Sequence, residues 1–217
     1  MKKLHKPQGA QKMDQSNEKN HWENIYSTSS ANQLSWFQAV PETSLKIIQK
    51  LSNNKAQILD VGAGASMLVD SLLKLGYSKL GVLDISQSAI DLVKNRIGED
   101  AKKIDFYNSD LRQFAPLHSF DIWHDRAVFH FFNDEYSKKL YVDALKKTVR
   151  KNGHIIIATF AQDGPTKCSG LDITQYDNES IRLVLGDEFK LLDHQLETHL
   201  TPKGNRQRFI YFTFERI

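Results

Sequence analysis

At 217 residues the chain fits one domain with a substantial core, and its 40% hydrophobic and 25% charged residues are those of an ordinary globular protein. No apolar stretch approaches the roughly 18 residues of a membrane span. A single cysteine, Cys168, excludes an internal disulfide framework and a cysteine-rich zinc site; the eight histidines lack close metal-ligand spacing, so no metal and a reducing, cytoplasmic setting are expected.

Residues 1–20 read as a flexible basic tail without the apolar segment of a secretory signal. Lys2, Lys3, Lys6, Lys12 and Lys19 against Asp14 and Glu18 give the tail +3, which is also the net charge of the whole chain. The remaining body is therefore formally neutral, which argues against a nucleic-acid surface. Residues 21–41 hold two of the three tryptophans, Trp22 and Trp36.

From residue 42 onward, helical and strand patterns alternate. Pro41 is placed to start a helix over Thr43–Leu51, with Leu45, Ile47, Ile48 and Leu51 at amphipathic spacing. A buried strand, Ile58–Val61, runs into Gly62-Ala63-Gly64 and then a helix over Met67–Leu75. Glycine permits a tight strand-to-helix turn and lets a ligand lie against the main chain, while the helix start offers unpaired N–H groups. Strand Leu80–Leu83 leads to Asp84, about twenty residues past the glycines, where a carboxylate can accept both ribose hydroxyls of a nucleoside. Capping the next helix, Ala89–Ile97, is its other reading, a role open to Ser86 or Ser88 as well. Strand Ile104–Tyr107 precedes Asp110-Leu111, and strand Phe120–Trp123 delivers His124, Asp125 and Arg126 to the same sheet edge. A helix over Tyr136–Arg150 follows, with Gly153 as its C-cap before the apolar run His154–Thr159. Phe189–His199 and Gln207–Glu215 read as an antiparallel hairpin through Gly204 and Asn205. Continuous apolar strands between helices imply a parallel sheet covered on both faces.

The third position of a dinucleotide fingerprint is Met67 rather than glycine, and no Gly-Lys-Ser/Thr completes a P-loop. Asp60-Val61-Gly62-Ala63-Gly64 instead resembles motif I of the class I S-adenosylmethionine-dependent methyltransferases, with Ser66 where that family usually has a further glycine. The resemblance spans residues 42–217 and implies one α/β domain: a Rossmann-like, seven-stranded, mostly parallel sheet with an antiparallel C-terminal strand and helices on both faces. It implies S-adenosylmethionine as cofactor, held by Asp60, Gly62, Ala63 and Gly64 at the turn. Asp84 and Ile85 would take the ribose, Asp110 and Leu111 the adenine, and His124 the neighbouring strand end. It also implies that residues 21–41 fold over the cofactor as a lid, with Trp36 shielding the sulfonium; anchoring a helix at the sheet edge is the other reading of these aromatics.

Asp125, Arg126 and His130 are the catalytic and acceptor-binding candidates. Asp125 and Arg126 have the alternatives of pairing with each other or capping, and His130 that of a satisfied core histidine. Phe120–Ala127 and Gly164-Pro165 further resemble the thiopurine and thiol S-methyltransferase branch, in which an arginine lies at the substrate pocket. The expected reaction is methyl transfer to a small molecule, a thiol or other soft nucleophile. A protein lysine is the alternative acceptor, and a non-enzymatic nucleotide- or partner-binding module the third reading. An oxygen acceptor would need a base, for which His124 or His130 is the candidate. Cys168 is expected at the rim of the site, after the fifth strand. Neither nucleic acid nor membrane is an expected partner, and the sequence leaves the oligomeric state open.

Overall fold

The computed structural model describes residues 15–217. Most of the expected basic tail lies outside them, and its last residues belong to a helix, α1 (Gln15–Thr28). Then follow α2 (Glu42–Leu51), β1 (Gln57–Val61), α3 (Leu68–Lys74), β2 (Lys79–Asp84), α4 (Gln87–Ile97) and β3 (Ile104–Asn108). The second half holds β4 (Phe120–Arg126), α5 (Glu135–Thr148), β5 (Val149–Phe160), the short strands β6 (Lys167–Cys168) and β7 (Leu171–Asp172), and α6 (Asn178–Leu185). It closes with β8 (Phe189–Leu200) and β9 (Arg206–Arg216).

Seven strands form one sheet in the order β3-β2-β1-β4-β5-β9-β8, while β6 and β7 pair separately. The first five run parallel to one another, and β9 runs antiparallel to both β5 and β8. This is the expected Rossmann-like sheet. Side-chain alternation divides its core between the two faces. On one face, Trp123, Ile155 and Ile157 pack with Tyr141 and Leu145 of α5. On the other, Ile122 and Ile156 pack with Ile48 of α2 and Leu68 and Leu72 of α3. The hairpin turn at 201–205 closes as expected, the Thr201 N–H donating to the Asn205 carbonyl at 2.8 Å, with Gly204 at φ 81°.

Gly153 is not a helix cap. Helix α5 stops at Thr148, Val149 is already extended, and the chain enters β5 directly. Gly153 sits inside that strand, where the β4–β5 register shifts between Phe120 and Ile122 and Asn152 takes φ 60°. A Cβ there would meet Val149 Cγ1 at 2.7 Å and the Arg150 carbonyl oxygen at 2.8 Å, so crowding accounts for the glycine. Helix α6 escaped the sequence reading because it is short. Its signals are a reciprocal cap, in which the Asp177 carboxylate accepts from the Ser180 N–H at 2.8 Å and the Ser180 hydroxyl accepts from the Asp177 N–H at 2.9 Å, and the buried pair Ile181 and Leu185. Gly153→Ala is expected to destabilise the fold by about 1–3 kcal/mol through overpacking against backbone; urea denaturation measures it, and an unchanged midpoint would place the crowding elsewhere.

Candidate active site

The chain passes from β1 outward through β2 to β3, then returns to the other side of β1 as β4. In open α/β sheets ligands bind at such a switch point, beyond the carboxyl ends of the strands. The glycine turn lies there, with Gly62 and Gly64 both at φ 55°, a region costly for side-chain-bearing residues. Their missing Cβ atoms serve the protein's own packing: a Cβ on Gly62 would meet Val128 Cγ2 at 2.1 Å, and one on Gly64 the Tyr26 hydroxyl at 2.1 Å. The expected open approach to main chain is thus taken up by Val128 and Tyr26. Beyond the turn, Arg96 donates to the Ala65 carbonyl (3.2 Å) and the Ser66 carbonyl (2.5 Å) and pairs with Asp70, bracing the loop from below.

Strand register sets the polar floor. Asp60 of β1 lies opposite His124 of β4, and the His124 Nδ1 is 2.7 Å from Asp60 Oδ1. The other ring nitrogen is 2.8 Å from the Ser44 hydroxyl on α2. Serine, histidine and aspartate follow one another as in a hydrolase relay, but Ser44 is 0% exposed, so the trio clamps α2 to the sheet rather than presenting a nucleophile. Asp60 Oδ2 is buried without a hydrogen-bond partner. At the end of β2, Asp84 accepts from the Gly64 N–H (2.7 Å) and the Ser86 N–H (2.8 Å). Capping of α4 falls to Ser86, whose hydroxyl accepts from the Ala89 N–H at 3.1 Å. Burial lifts the Asp84 carboxyl to about 6, with the bonds from Ser86 and Gly64 pulling the other way.

Alternation along β4 separates Asp125 from Arg126, and His130 lies in the turn beyond the strand. Asp125 points to the face opposite His124, is 0% exposed, and does not line the cavity. It accepts from the Val128 N–H (2.9 Å), the Phe129 N–H (3.0 Å) and the Tyr141 hydroxyl (2.6 Å), so it fastens the turn after β4 onto α5. Burial raises it to about 7 despite those donors. His130 is also buried away from the cavity, against Phe131 and Phe160, and neither ring nitrogen has a partner. Burial first, and the charge of Arg126 second, push it down to about 3, too weak a base for catalysis at neutral pH. Arg126, by contrast, is on the cavity wall. Its Nε donates to the Tyr211 hydroxyl at 3.0 Å, its Nη1 to the Trp36 carbonyl at 2.9 Å, and its guanidinium stacks 4.4 Å over Phe209.

The cavity has a volume of about 170 Å³. Gly62, Ala63, Ile85, Asp110, Leu111 and Cys168 join its wall, so Cys168 stands where expected; burial pushes the thiol up to about 12. Helix α1 and the segment after it, which include the residues 21–41 expected to fold over the cofactor, form the roof and bring Glu18, Trp22, Tyr26 and Trp36 to the cavity wall. Trp22 packs edge-on against Trp36 (5.9 Å) and Phe131 (5.3 Å). Glu23 accepts from the Ser86 hydroxyl (2.8 Å) and the Ser88 hydroxyl (2.5 Å) at the start of α4, and Glu18 accepts from Arg112 (2.6 Å), which also grips Asp110. The readable signal was the one-turn spacing of Trp22 and Tyr26. Among the described residues no cluster of three or more potential ligands forms a metal site, and no helix is long and apolar enough to cross a membrane.

Comparison with known proteins agrees with this geometry. Residues 58–153 match the family described as a methyltransferase domain. The chain is similar to EEF1A lysine methyltransferase 2 of Danio rerio, 34% identical over 51% of this chain and 50% of that protein. It is also similar to a ubiquinone biosynthesis O-methyltransferase of Aromatoleum aromaticum, 27% identical over 48% of this chain and 43% of that one. The matched regions thus span about half of each curated relative. Among solved structures, the 1,6-didemethyltoxoflavin-N1-methyltransferase of Burkholderia thailandensis, determined with S-adenosylhomocysteine, superposes with a TM-score of 0.71 at 16% identity, covering 98% of this chain and 93% of that one. The fold is the one these S-adenosylmethionine-dependent methyltransferase structures share, and residues 58–153 match a methyltransferase domain.

Two substitutions test the reassigned residues. Asp125→Ala leaves the Phe129 N–H and the Tyr141 hydroxyl, both buried, and the half-buried Val128 N–H without their acceptor, and is expected to cost about 3 kcal/mol of stability, read by denaturant unfolding. His130→Phe is expected to stabilise. A group whose folded pKa is lowered loses stability as pH falls from its ordinary value of 6.5 toward about 3, and phenylalanine removes that loss. Its advantage should therefore be about 2 kcal/mol larger at pH 5 than at pH 8; a pH-independent difference would contradict the buried neutral histidine.

Proposed function

We propose that the chain is an S-adenosylmethionine-dependent methyltransferase acting on a small-molecule acceptor, a thiol or another soft nucleophile. The observation that carries the cofactor assignment is Asp60 Oδ2, a buried acceptor with no partner beside the glycine turn, suited to the ammonium of the methionyl part. Asp84 has lone pairs left for ribose hydroxyls beyond the two backbone bonds it accepts. Ile85, Asp110 and Leu111 would border the adenine, and Ala63 with His124 would complete the floor. When bound, the cofactor supplies an activated methyl: its carbon–sulfur bond breaks, the pair staying on sulfur, as the acceptor's lone pair bonds to carbon.

Three features favour a small acceptor. The walls at the Trp36 end are aromatic, Arg126 is the charged group there, and α1 closes the cavity from above. At about 170 Å³ the roofed space is smaller than the ~300–1,000 Å³ usual for ligand pockets, so residues 15–41 act as a lid that lifts for entry and closes to exclude water. A protein lysine is the second reading, favoured by the likeness to the Danio rerio lysine methyltransferase. Against it, the acceptor end lacks an unpaired carboxylate for a cationic side chain: Glu197 accepts from Gln38 (3.0 Å) and faces Arg126.

Calorimetry with S-adenosylhomocysteine tests the cofactor site. Wild type should bind, and Asp60→Ala and Asp84→Ala should each weaken binding by about 10–100-fold, the loss of a hydrogen bond to a charged group; no binding by wild type at millimolar ligand would end this reading. A methyl-transfer assay comparing thiophenol with a lysine-bearing peptide distinguishes the two acceptor classes.

A further inference from the structure

At the outer end of the sheet β8 presents a free edge. Among the described residues no strand pairs with its outer side, although β8 is 12 residues long. The hairpin fixes which backbone groups face outward. The Thr201 N–H points inward to the Asn205 carbonyl, so alternation turns the N–H and C=O groups of Leu200, Thr198, Leu196 and His194 away from β9. The His194 N–H agrees, for it donates to the Asp193 carboxylate at 2.9 Å instead. These alternate residues also share one face, on which Leu196 and Leu200 are 57% and 63% exposed, with Leu192 at 42%. Other exposed large apolar side chains, such as Leu75, Leu117 and Leu183, stand singly elsewhere in the chain.

Sheet edges are ordinarily guarded by lysine, proline, charge or a bulge. In β8 the guards are confined to the first part: Lys190, the extra residue at Leu192 where the register shifts, and Asp193. From His194 to Leu200 there is no lysine, proline or register shift. The one carboxylate in that run, Glu197, is turned to the roof, where it accepts from Gln38 and faces Arg126.

We propose that this edge joins a second copy of the chain, the two β8 strands running antiparallel about a two-fold axis at Leu196. That register sets Leu196 against the partner's Leu196, Leu192 against the partner's Leu200 and His194 against the partner's Thr198. It opposes no like charges, since Asp193 meets the partner's His199 and Glu197 the partner's Gln195. Moving the axis one residue either way sets Asp193 against the partner's Glu197, or Glu197 against the partner's Glu197, and like charges directly opposite are destabilising. The His194 N–H exchanges its Asp193 carboxylate for the carbonyl of the partner's Thr198. A two-fold contact of this kind is self-complementary and closed, so assembly stops at two chains. It is independent of the methyltransferase reading but bears on the site, because the other face of β8 supports the roof. There the His199 Nε2 donates to the Ser35 carbonyl (2.8 Å) and Glu197 holds the Gln38 amide (3.0 Å).

Sedimentation velocity of the full chain tests this at about 100 μM, where a dimer of micromolar Kd is largely formed. Wild type should sediment as two chains. Leu196→Lys, which places two ammonium groups across the axis, should sediment as one and keep the wild-type urea midpoint, because the position is exposed. Cysteines then fix the register. Directly paired antiparallel residues have Cα atoms about 5.5 Å apart, within disulfide reach, so Leu196→Cys should cross-link to its counterpart on mild oxidation. Leu200→Cys, whose counterpart lies at the far end of the pairing, should not, and the buried Cys168 of wild type should not either. A single-chain mass for wild type would leave the edge to some other partner and overturn the proposal. A dimer that survives in Leu196→Lys, failure of Leu196→Cys to cross-link, or a cross-link in Leu200→Cys would each overturn it as well.

Discussion

The in-register pairing of β1 with β4 is the constraint on which the site depends. Parallel neighbours put Asp60 and His124 side by side, and the pleat sends both toward α2 while turning their successors away. From this one register come the Ser44 clamp, the unpartnered oxygen of Asp60 and the appearance of Arg126 on the same wall. It also sends Trp123 and Asp125 to the opposite face, where Tyr141 joins them: the Trp123 indole N–H donates to its hydroxyl, which donates to Asp125. Slipping the pairing by one residue would exchange the two faces and place a carboxylate where the histidine stands.

Two kinds of polar burial meet at this crevice. Asp125 and Asp84 are carboxylates surrounded by backbone donors, and burial still raises them to about 7 and about 6. Such groups fix turns: one shapes the chain after β4, the other ties the glycine loop to the start of α4. Asp60 Oδ2 and Arg126 Nη2 are the contrasting kind, buried atoms lacking hydrogen-bond partners on the cavity wall. An unmet buried polar atom carries a penalty of about 1–3 kcal/mol, and a ligand that meets it recovers that energy as affinity. Structure-fixing and ligand-seeking groups are thus told apart by their partners rather than by their residue type.

The sheet was legible because its strands are apolar runs bounded by turn chemistry, and Ile58–Val61 and His154–Thr159 announce themselves. The strand-to-helix turn of Gly62 and Gly64 and the strand-end positions of Asp60 and Asp84 were legible as places in the fold, since their spacing along the chain is the spacing in the fold. What sequence could not order was the stretch from His124 to His130. Four titratable residues stood close together, but whether each faces the cavity depends on pleat phase and on the turn at Ala127, which takes φ 71°. Roof residues such as Glu18 and Glu23 were illegible for another reason. Their partners, Arg112 and the serines Ser86 and Ser88, lie more than 60 residues away in sequence, and no local pattern records a contact of that span.

Arg126 has one further consequence through its bond to the Trp36 carbonyl. That hydrogen bond joins the segment over the cavity to the end of β4, so a lifting of that segment of the kind proposed would free Nη1 as it uncovers the wall. Opening of the cavity and release of the guanidinium would then be one event. Residence time and gate motion would then share a common barrier, set by the Trp36 carbonyl together with Gln38, whose amide holds the Glu197 paired with Arg126.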